Sequence, residues 1–206
     1  AVDPQGGNAI LVCPGSNAAL SAADVSAGLE AVGPGDIVAL QLEVEMDVVR
    51  HAAAIARQRG ATVVLNAAPA PPSAHLLFEN VDVLVVNEHE LDAVCSLTGL
   101  KPGAHAELTR ALSSALGITV ICTAGPDGAY AGSHGKLFHH PARRVNAVDT
   151  TGAGDTFVGY LAASLAQKGD DLAGALASAV SASASAVTRP GAMESIPRAA
   201  ELLSLR

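Results

Sequence analysis

Short β-rich apolar runs alternate along this chain with longer segments whose apolar residues recur at helical spacing, and no other feature restricts the possible folds so strongly. Residues 10–13, 36–42, 62–66, 81–87 and 118–123 read as strands. Residues 21–32, 45–59, 88–97 and 104–116 read as helices. Runs of mostly apolar residues suit parallel strands covered on both faces, because a strand with one wet face would alternate apolar with polar positions. The expected fold is therefore α/β: a three-layer α/β/α sandwich around a mostly parallel central sheet. Helix punctuation agrees with this division. Ser21 is placed to cap the first helix, Gly60 closes the second, and Gly99 and Gly117 fall where left-handed C-terminal residues are expected.

Beyond Thr123 the pattern changes. Residues 128–131 and 136–139, separated by Gly132-Ser133-His134-Gly135, read as a hairpin. A third stretch, 143–148, leads into a glycine-rich turn, after which 156–167 and 171–187 read as Ala-rich helices. There is no internal repeat and no linker, so residues 1–206 read as one domain or part of one. The opening Pro4-Gln5-Gly6-Gly7-Asn8 turns straight into an apolar run, as if the chain entered in mid-fold.

Composition narrows the function classes. Of the 206 residues half are apolar and 16% charged, enough for one core that buries roughly 70% of the unfolded surface. No apolar run approaches the ~18 to 20 residues of a membrane span, and Ala1-Val2-Asp3-Pro4-Gln5 lacks the basic and apolar regions of a signal peptide, so a cytoplasmic protein without membrane contact is expected. The net charge of -8 carries no Lys/Arg cluster to attract a nucleic-acid backbone; any phosphate must be held locally. Cys13, Cys95 and Cys122 lie far apart in apolar surroundings, which suits buried reduced thiols. The seven histidines show no HExxH or Cys/His spacing, and His139-His140 reads as a strand or loop feature.

The chemistry concentrates in Asp149-Thr150-Thr151-Gly152-Ala153-Gly154-Asp155-Thr156-Phe157. Gly152 and Gly154 let the backbone bend and a ligand approach, while the following helix directs unpaired N–H groups and a positive dipole end into the bend. This is an anion hole made of backbone, and Asp155 at its mouth is a carboxylate available to take a proton from an attacking hydroxyl. Together they would complete a phosphoryl-transfer arrangement. Asp155 alone would equally serve as a helix cap; two glycines and a second carboxylate, Asp149, favour the chemical reading. Gly152, Gly154 and Gly159 give GxGxxxxG, which is neither the dinucleotide fingerprint GxGxxG nor a Walker loop.

Residues 149–157 resemble the C-terminal signature of the ribokinase-like family of carbohydrate kinases. The resemblance extends in family order through Gly15-Ser16-Asn17-Ala18-Ala19-Leu20-Ser21, Gln41-Leu42-Glu43, Asn66-Ala67-Ala68-Pro69-Ala70, Asn87-Glu88-His89-Glu90, Thr123-Ala124-Gly125-Pro126-Asp127-Gly128 and Ala186-Val187-Thr188-Arg189-Pro190-Gly191-Ala192. It implies ATP-dependent phosphorylation of a sugar hydroxyl, with D-ribose to D-ribose 5-phosphate as the preferred reaction. Asp155 would be the catalytic base, and Gly152, Ala153 and Gly154 the anion hole. Asn87 would reach the nucleotide phosphates, and Glu90 would organise Mg²⁺ through water, although a strand end followed by an acidic helix turn explains the same pair structurally. Thr123, Gly125, Pro126, Asp127 and Gly128 would lie beneath the nucleotide; taken alone they form an ordinary turn. The implied K⁺ ligands are the Asp149 side chain, the carbonyls of Thr151, Ala186, Arg189 and Gly191, and Ser195. Glu43 would contact sugar hydroxyls, or stand as a solvated carboxylate at a strand end.

Against the family pattern, about a hundred residues with the sugar-gripping motif, the first strands and the lid are missing before Ala1. Residues 1–206 are thus expected to be the C-terminal part of a single ribokinase-like kinase domain, inactive alone, whose full-length form is a homodimer binding a small-molecule sugar and ATP. The turn at Val180-Ser181-Ala182 lacks the His or Asn often found near the nucleotide. A related fructose, ketodeoxygluconate or adenosine kinase, or a non-catalytic nucleotide-binding fragment, remains the alternative.

Overall fold

The computed structural model describes residues 12–71, 78–169 and 171–203. They form two compact units. One comprises Cys13–Ala124 and Tyr130–His139; the other comprises Gly125–Ala129 and the chain from His140 onward.

The first unit holds the sheet. Strands β1 (Ile37–Gln41), β2 (Thr62–Asn66), β3 (Val83–Asn87), β4 (Thr119–Thr123), β5 (Ala129–Ser133) and β6 (Lys136–His140) lie side by side in sequence order. The first four pair in parallel, with Ile37 opposite Thr62, Leu65 opposite Leu84 and Leu84 opposite Val120. Val63, Leu65, Leu84, Val86, Val120 and Cys122 point to one face, where they form a continuous core with α2 (Met46–Gln58), α3 (Glu88–Leu97) and α4 (His105–Leu116). The alternate positions Val64, Val85 and Ile121 are buried too. Burial on both faces explains why these strands read as unbroken apolar runs. β5 and β6 form the expected hairpin, turning at His134 (φ +47°) and Gly135 (φ +76°), the left-handed pair that a two-residue hairpin turn demands. The ring of His139 stacks on Tyr130 across this hairpin, with centroids 4.5 Å apart.

Helix boundaries follow local chemistry. Ser21 caps α1 (Ala22–Gly28) as expected: its Oγ accepts the Asp24 N–H at 3.2 Å, and the Asp24 carboxylate accepts the Ser21 N–H at 3.0 Å. α2 buries Val49, Ala52, Ala53 and Ala56, one face at helical spacing. α4 ends on Gly117, whose N–H reaches the Ser113 carbonyl at 2.9 Å from a left-handed conformation.

The second unit packs α5 (Ala153–Lys168) against the Ala-rich α6 (Leu172–Ala186), burying Phe157, Leu161, Leu176, Ala179 and Ala182. Small residues on α6 let the two backbones approach closely. A short helix, α7 (Ala199–Leu203), follows.

Two expectations need correction. Of the expected strand at 10–13, residues 10 and 11 lie outside the described residues, while Val12 and Cys13 form no strand. Cys13 is exposed, unlike Cys95 in α3 and Cys122 in β4, which the core covers. Burial, with the nearby Asp92 carboxylate second, raises the Cys95 thiol to about 11. Burial also dominates at Cys122, which is raised to about 12. Among the described residues no helix is long and apolar enough to cross a membrane.

A thiolate must form and be reached before it reacts. A thiol reagent at about pH 8 is accordingly expected to titrate Cys13 alone in the native protein and all three cysteines in denaturant, and Cys13→Ser should abolish the native signal. Gly128 has φ +90°, and a Cβ there would overlap the His140 carbonyl oxygen and lie 2.8 Å from the Pro141 carbonyl carbon. Gly128→Ala is expected to cost about 2–4 kcal/mol, read as a lowered urea midpoint.

Candidate active site

The chain enters α5 along the segment that leaves α6. The N–H groups of Val148 and Asp149 both donate to the Val187 carbonyl, at 2.8 and 3.2 Å. Asp149 is buried, and each carboxylate oxygen accepts one backbone N–H: Oδ1 from Thr151 and Oδ2 from Gly191, both at 2.9 Å. Hydrogen bonds to an ionised acceptor favour the charged form. The Thr151 N–H, then the Thr151 side chain and the Gly191 N–H, hold the Asp149 carboxyl below the usual carboxylate range.

With Thr151 held, the chain reverses at Gly152, which has φ +74° and caps α5 without a side chain. A Cβ at Gly152 would lie 3.3 Å from the Ala192 Cα, so the turn needs glycine for conformation and for space. α5 begins at Ala153, three residues before the sequence expectation. Gly152 makes the bend, which leaves Gly154 and Asp155 in helical conformation; the Thr156 N–H closes the first turn on the Gly152 carbonyl at 2.9 Å. Asp155 is the third helical residue and is exposed, so it does not cap α5.

Among the expected anion-hole amides, that of Ala153 donates to the Thr150 carbonyl at 3.2 Å. That of Gly154 has no acceptor among the described residues, and neither has the amide of Asp155, which is not among those expected. They form the positive end of a 16-residue helix beside an exposed carboxylate. The Ser183 hydroxyl donates to the Ala153 carbonyl at 3.0 Å and holds this end against α6. Just behind it, Thr156 Oγ1 is buried without a partner among the described residues.

The loop after α6 returns to the same place. The Arg189 N–H donates to the Ala186 carbonyl at 3.1 Å, Gly191 has φ +88°, and the fully buried Ser195 hydroxyl donates to the Ala192 carbonyl at 2.7 Å. Asp149, Thr151, Ala186, Arg189, Gly191 and Ser195 therefore belong to one bonded set of turns. Its oxygen donors, mostly carbonyls with a single carboxylate, fit a hard cation of low charge. Among the described residues no three His, Cys, Asp or Glu side chains are grouped to hold a metal ion. Gly125, Pro126 and Asp127 form an exposed 3₁₀ turn in this unit.

The remaining candidates lie in the unit with the sheet. Asn87 and Thr123 are register partners at the carboxyl ends of β3 and β4, where open parallel sheets bind ligands. Asn87 Oδ1 accepts the Glu90 N–H at 2.9 Å, and Glu90 Oε2 accepts the Asn87 N–H at 2.8 Å, a reciprocal cap on α3. This uses the Asn87 oxygen and one Glu90 oxygen; the exposed Asn87 amide nitrogen has no partner among the described residues. Burial pushes the Glu90 carboxyl up, opposed by the Asn87 N–H and by His89. Thr123 Oγ1 donates to the Val86 carbonyl at 3.4 Å. Glu43, just past β1, is exposed and lines a cleft of about 360 Å³ with Glu45, Met46, Pro69 and Pro71 among its walls. Nothing in residue type marks Ser183, which repeats as Ser181 and Ser185 on the same helix, or Glu45 beside Glu43.

Residues 1–199 match the sequence model of the pfkB family carbohydrate kinases. The chain belongs to this family. As a pfkB family carbohydrate kinase chain, it is 36% identical over 199 residues to a ribokinase of Staphylococcus aureus, covering 95% of this chain and 64% of that protein. It is equally, 36%, identical over 200 residues to a deoxyribokinase of Salmonella typhi, again covering 95% and 64%. The chain thus spans 64% of the length of these relatives. Its fold is that of the Thermotoga maritima ribokinase, with a TM-score of 0.84 at 31% identity over 98% of this chain and 66% of that one. An Arabidopsis thaliana ribokinase complexed with ribose and ATP superposes with a TM-score of 0.73 at 28% identity, covering 82% and 55%.

For this family member, Asp149→Asn removes one of two paired oxygens and sets an amide N–H against a backbone N–H. Because the folded pKa of Asp149 is lowered, its contribution is present above the unfolded carboxylate pKa of about 4 and is lost as pH falls through the folded value. The variant is expected to melt lower at neutral pH and to lose less on acidification between about pH 4 and pH 2, read from thermal midpoints against pH.

Proposed function

We propose that this chain carries the nucleotide-handling and proton-abstracting part of an ATP-dependent sugar kinase whose substrate is D-ribose. The observation that carries the reading is the head of α5, where the amides of Gly154 and Asp155, without a partner among the described residues, stand beside the exposed Asp155 carboxylate. Family membership supports it, as do relatives named ribokinase and solved ribokinases described with ribose and ATP or with ADP.

In this reading the Asp155 carboxylate accepts the proton of the sugar hydroxyl as that oxygen bonds to the γ-phosphorus of ATP. The bond from phosphorus to the β–γ bridging oxygen breaks, and ADP leaves. The amides at the α5 head hold the charge of the migrating group, which is where positioned dipoles act most strongly. Ala153 contributes less than Gly154 because its N–H is turned to Thr150. Gly152 makes the bend. Asn87 offers its amide nitrogen, and Thr123 with Gly125, Pro126, Asp127 and Gly128 underlies the nucleotide. Glu43 and the cleft beside it hold sugar hydroxyls.

Mg²⁺, when bound with ATP, neutralises phosphate charge; Glu90 has one oxygen left by the cap, enough to orient a metal-bound water. Asp149, Ser195 and the carbonyls of Thr151, Ala186, Arg189 and Gly191 would hold K⁺, which supplies positive potential beside the hole. The family resemblance adds a cytoplasmic location and a homodimeric full-length protein.

Asp155→Asn in the full-length kinase is expected to keep its affinity for ATP while ADP release with ribose falls about 10²- to 10⁴-fold. Turnover within tenfold of wild type would remove Asp155 from the chemistry. The same assay over ribose, deoxyribose, fructose, ketodeoxygluconate and adenosine should favour ribose; a faster substrate replaces the specificity assignment and leaves the base intact.

A further inference from the structure

The last helix is tied to the loop that carries the candidate cation donors. In α7, Glu201 Oε1 accepts the Arg198 N–H at 2.9 Å, while Oε2 accepts from the Arg189 guanidinium. The segment before α7 is in turn fixed to α5, because the Tyr160 hydroxyl donates to the Pro197 carbonyl at 2.6 Å. The start of α7 is therefore braced on α5, and its first turn holds Arg189.

The two halves of Arg189 do different things. Its backbone N–H closes a turn on the Ala186 carbonyl at 3.1 Å, which sets the path of residues 186–189. Its side chain leaves that turn for Glu201. The pair is about 40% exposed on each side, so it adds little to global stability. Its effect is local: a turn whose side chain is anchored has fewer orientations of its peptide groups. Carbonyls that must converge on an ion bind it more tightly when their ordering is already complete in the free protein.

We infer that Glu201 is a positioning residue for the monovalent-cation site, holding the 186–191 turn through Arg189 so that its carbonyls stay convergent. This rests on the cation reading of the loop given under Proposed function.

Glu201→Gln keeps an oxygen for the Arg198 N–H and removes the charge that faces Arg189 and, after it, Arg198. Thermal midpoints of the full-length protein, titrated with KCl against tetramethylammonium chloride at constant ionic strength, should show a half-saturating K⁺ concentration about two- to fivefold higher in this variant, the span a half-exposed ion pair can supply. The exchanged pair Arg189→Glu with Glu201→Arg should return it towards wild type, and amide hydrogen exchange across 186–191 should be faster in Glu201→Gln without K⁺. A wild-type K⁺ response that Glu201→Gln leaves unmoved, with unchanged exchange, overturns this inference alone. Wild-type protein with no K⁺-specific shift overturns the cation reading and this inference with it.

Discussion

The Asp149 carboxylate, with a backbone N–H on each oxygen, connects the turn at 149–152 to the turn at 189–192, and the geometry of the α5 head follows from that connection. An ionised acceptor holds an N–H more strongly than a neutral one and fixes its direction. Once Thr151 and Gly191 are bound to the same side chain, Gly152 must reverse the chain in a left-handed conformation against Ala192, and the first turn of α5 starts at Ala153. The exposed amides of Gly154 and Asp155 are a product of that reversal. Among the described residues no side chain caps this helix, in contrast with α1 and α3, whose ends are closed by reciprocal caps.

The α3 cap shows how a pair that closes a helix can keep hydrogen-bonding capacity in reserve. Asn87 and Glu90 satisfy each other's backbone N–H, which fixes the start of α3. The cap uses one end of the Asn87 amide and leaves the other. Burial of Glu90 works against its charge, and the Asn87 N–H works for it. This places a conditioned carboxylate and an amide nitrogen without a partner among the described residues at the carboxyl end of β3, where the adjacent β4 delivers Thr123.

Much of the fold was legible because burial leaves periodic traces. β2 and α3 occupy the expected residues, and β1, β3, β4, α2 and α4 differ by one or two at an end, since Val and Ile runs and apolar helical faces point to one core. The Ser21 cap and the left-handed Gly117 were readable from residue type alone. The start of α5 was not: Gly-Ala-Gly-Asp is a poor helical sequence, and Asp155 mimics a cap that Gly152 supplies. Cys13 lies outside the strands and helices that build the core, which apolar composition does not report. At the site, Asp149 and Asp155 stood out as carboxylates around glycines, and the family resemblance placed the others. Carbonyl donors leave no mark in side-chain chemistry, and nothing distinguishes Ser183 from the serines two residues either side until the helices are packed.

The hydrogen bond from Gly191 to Asp149 spans 42 residues of chain. A polypeptide emerging from the ribosome presents the 149–155 turn well before the segment that secures it, and the brace from α7 arrives later still. A half-made chain would hold the Asp155 carboxylate and the glycines without the clasp that shapes them, so the head of α5 takes its final form only after residue 191 has been made.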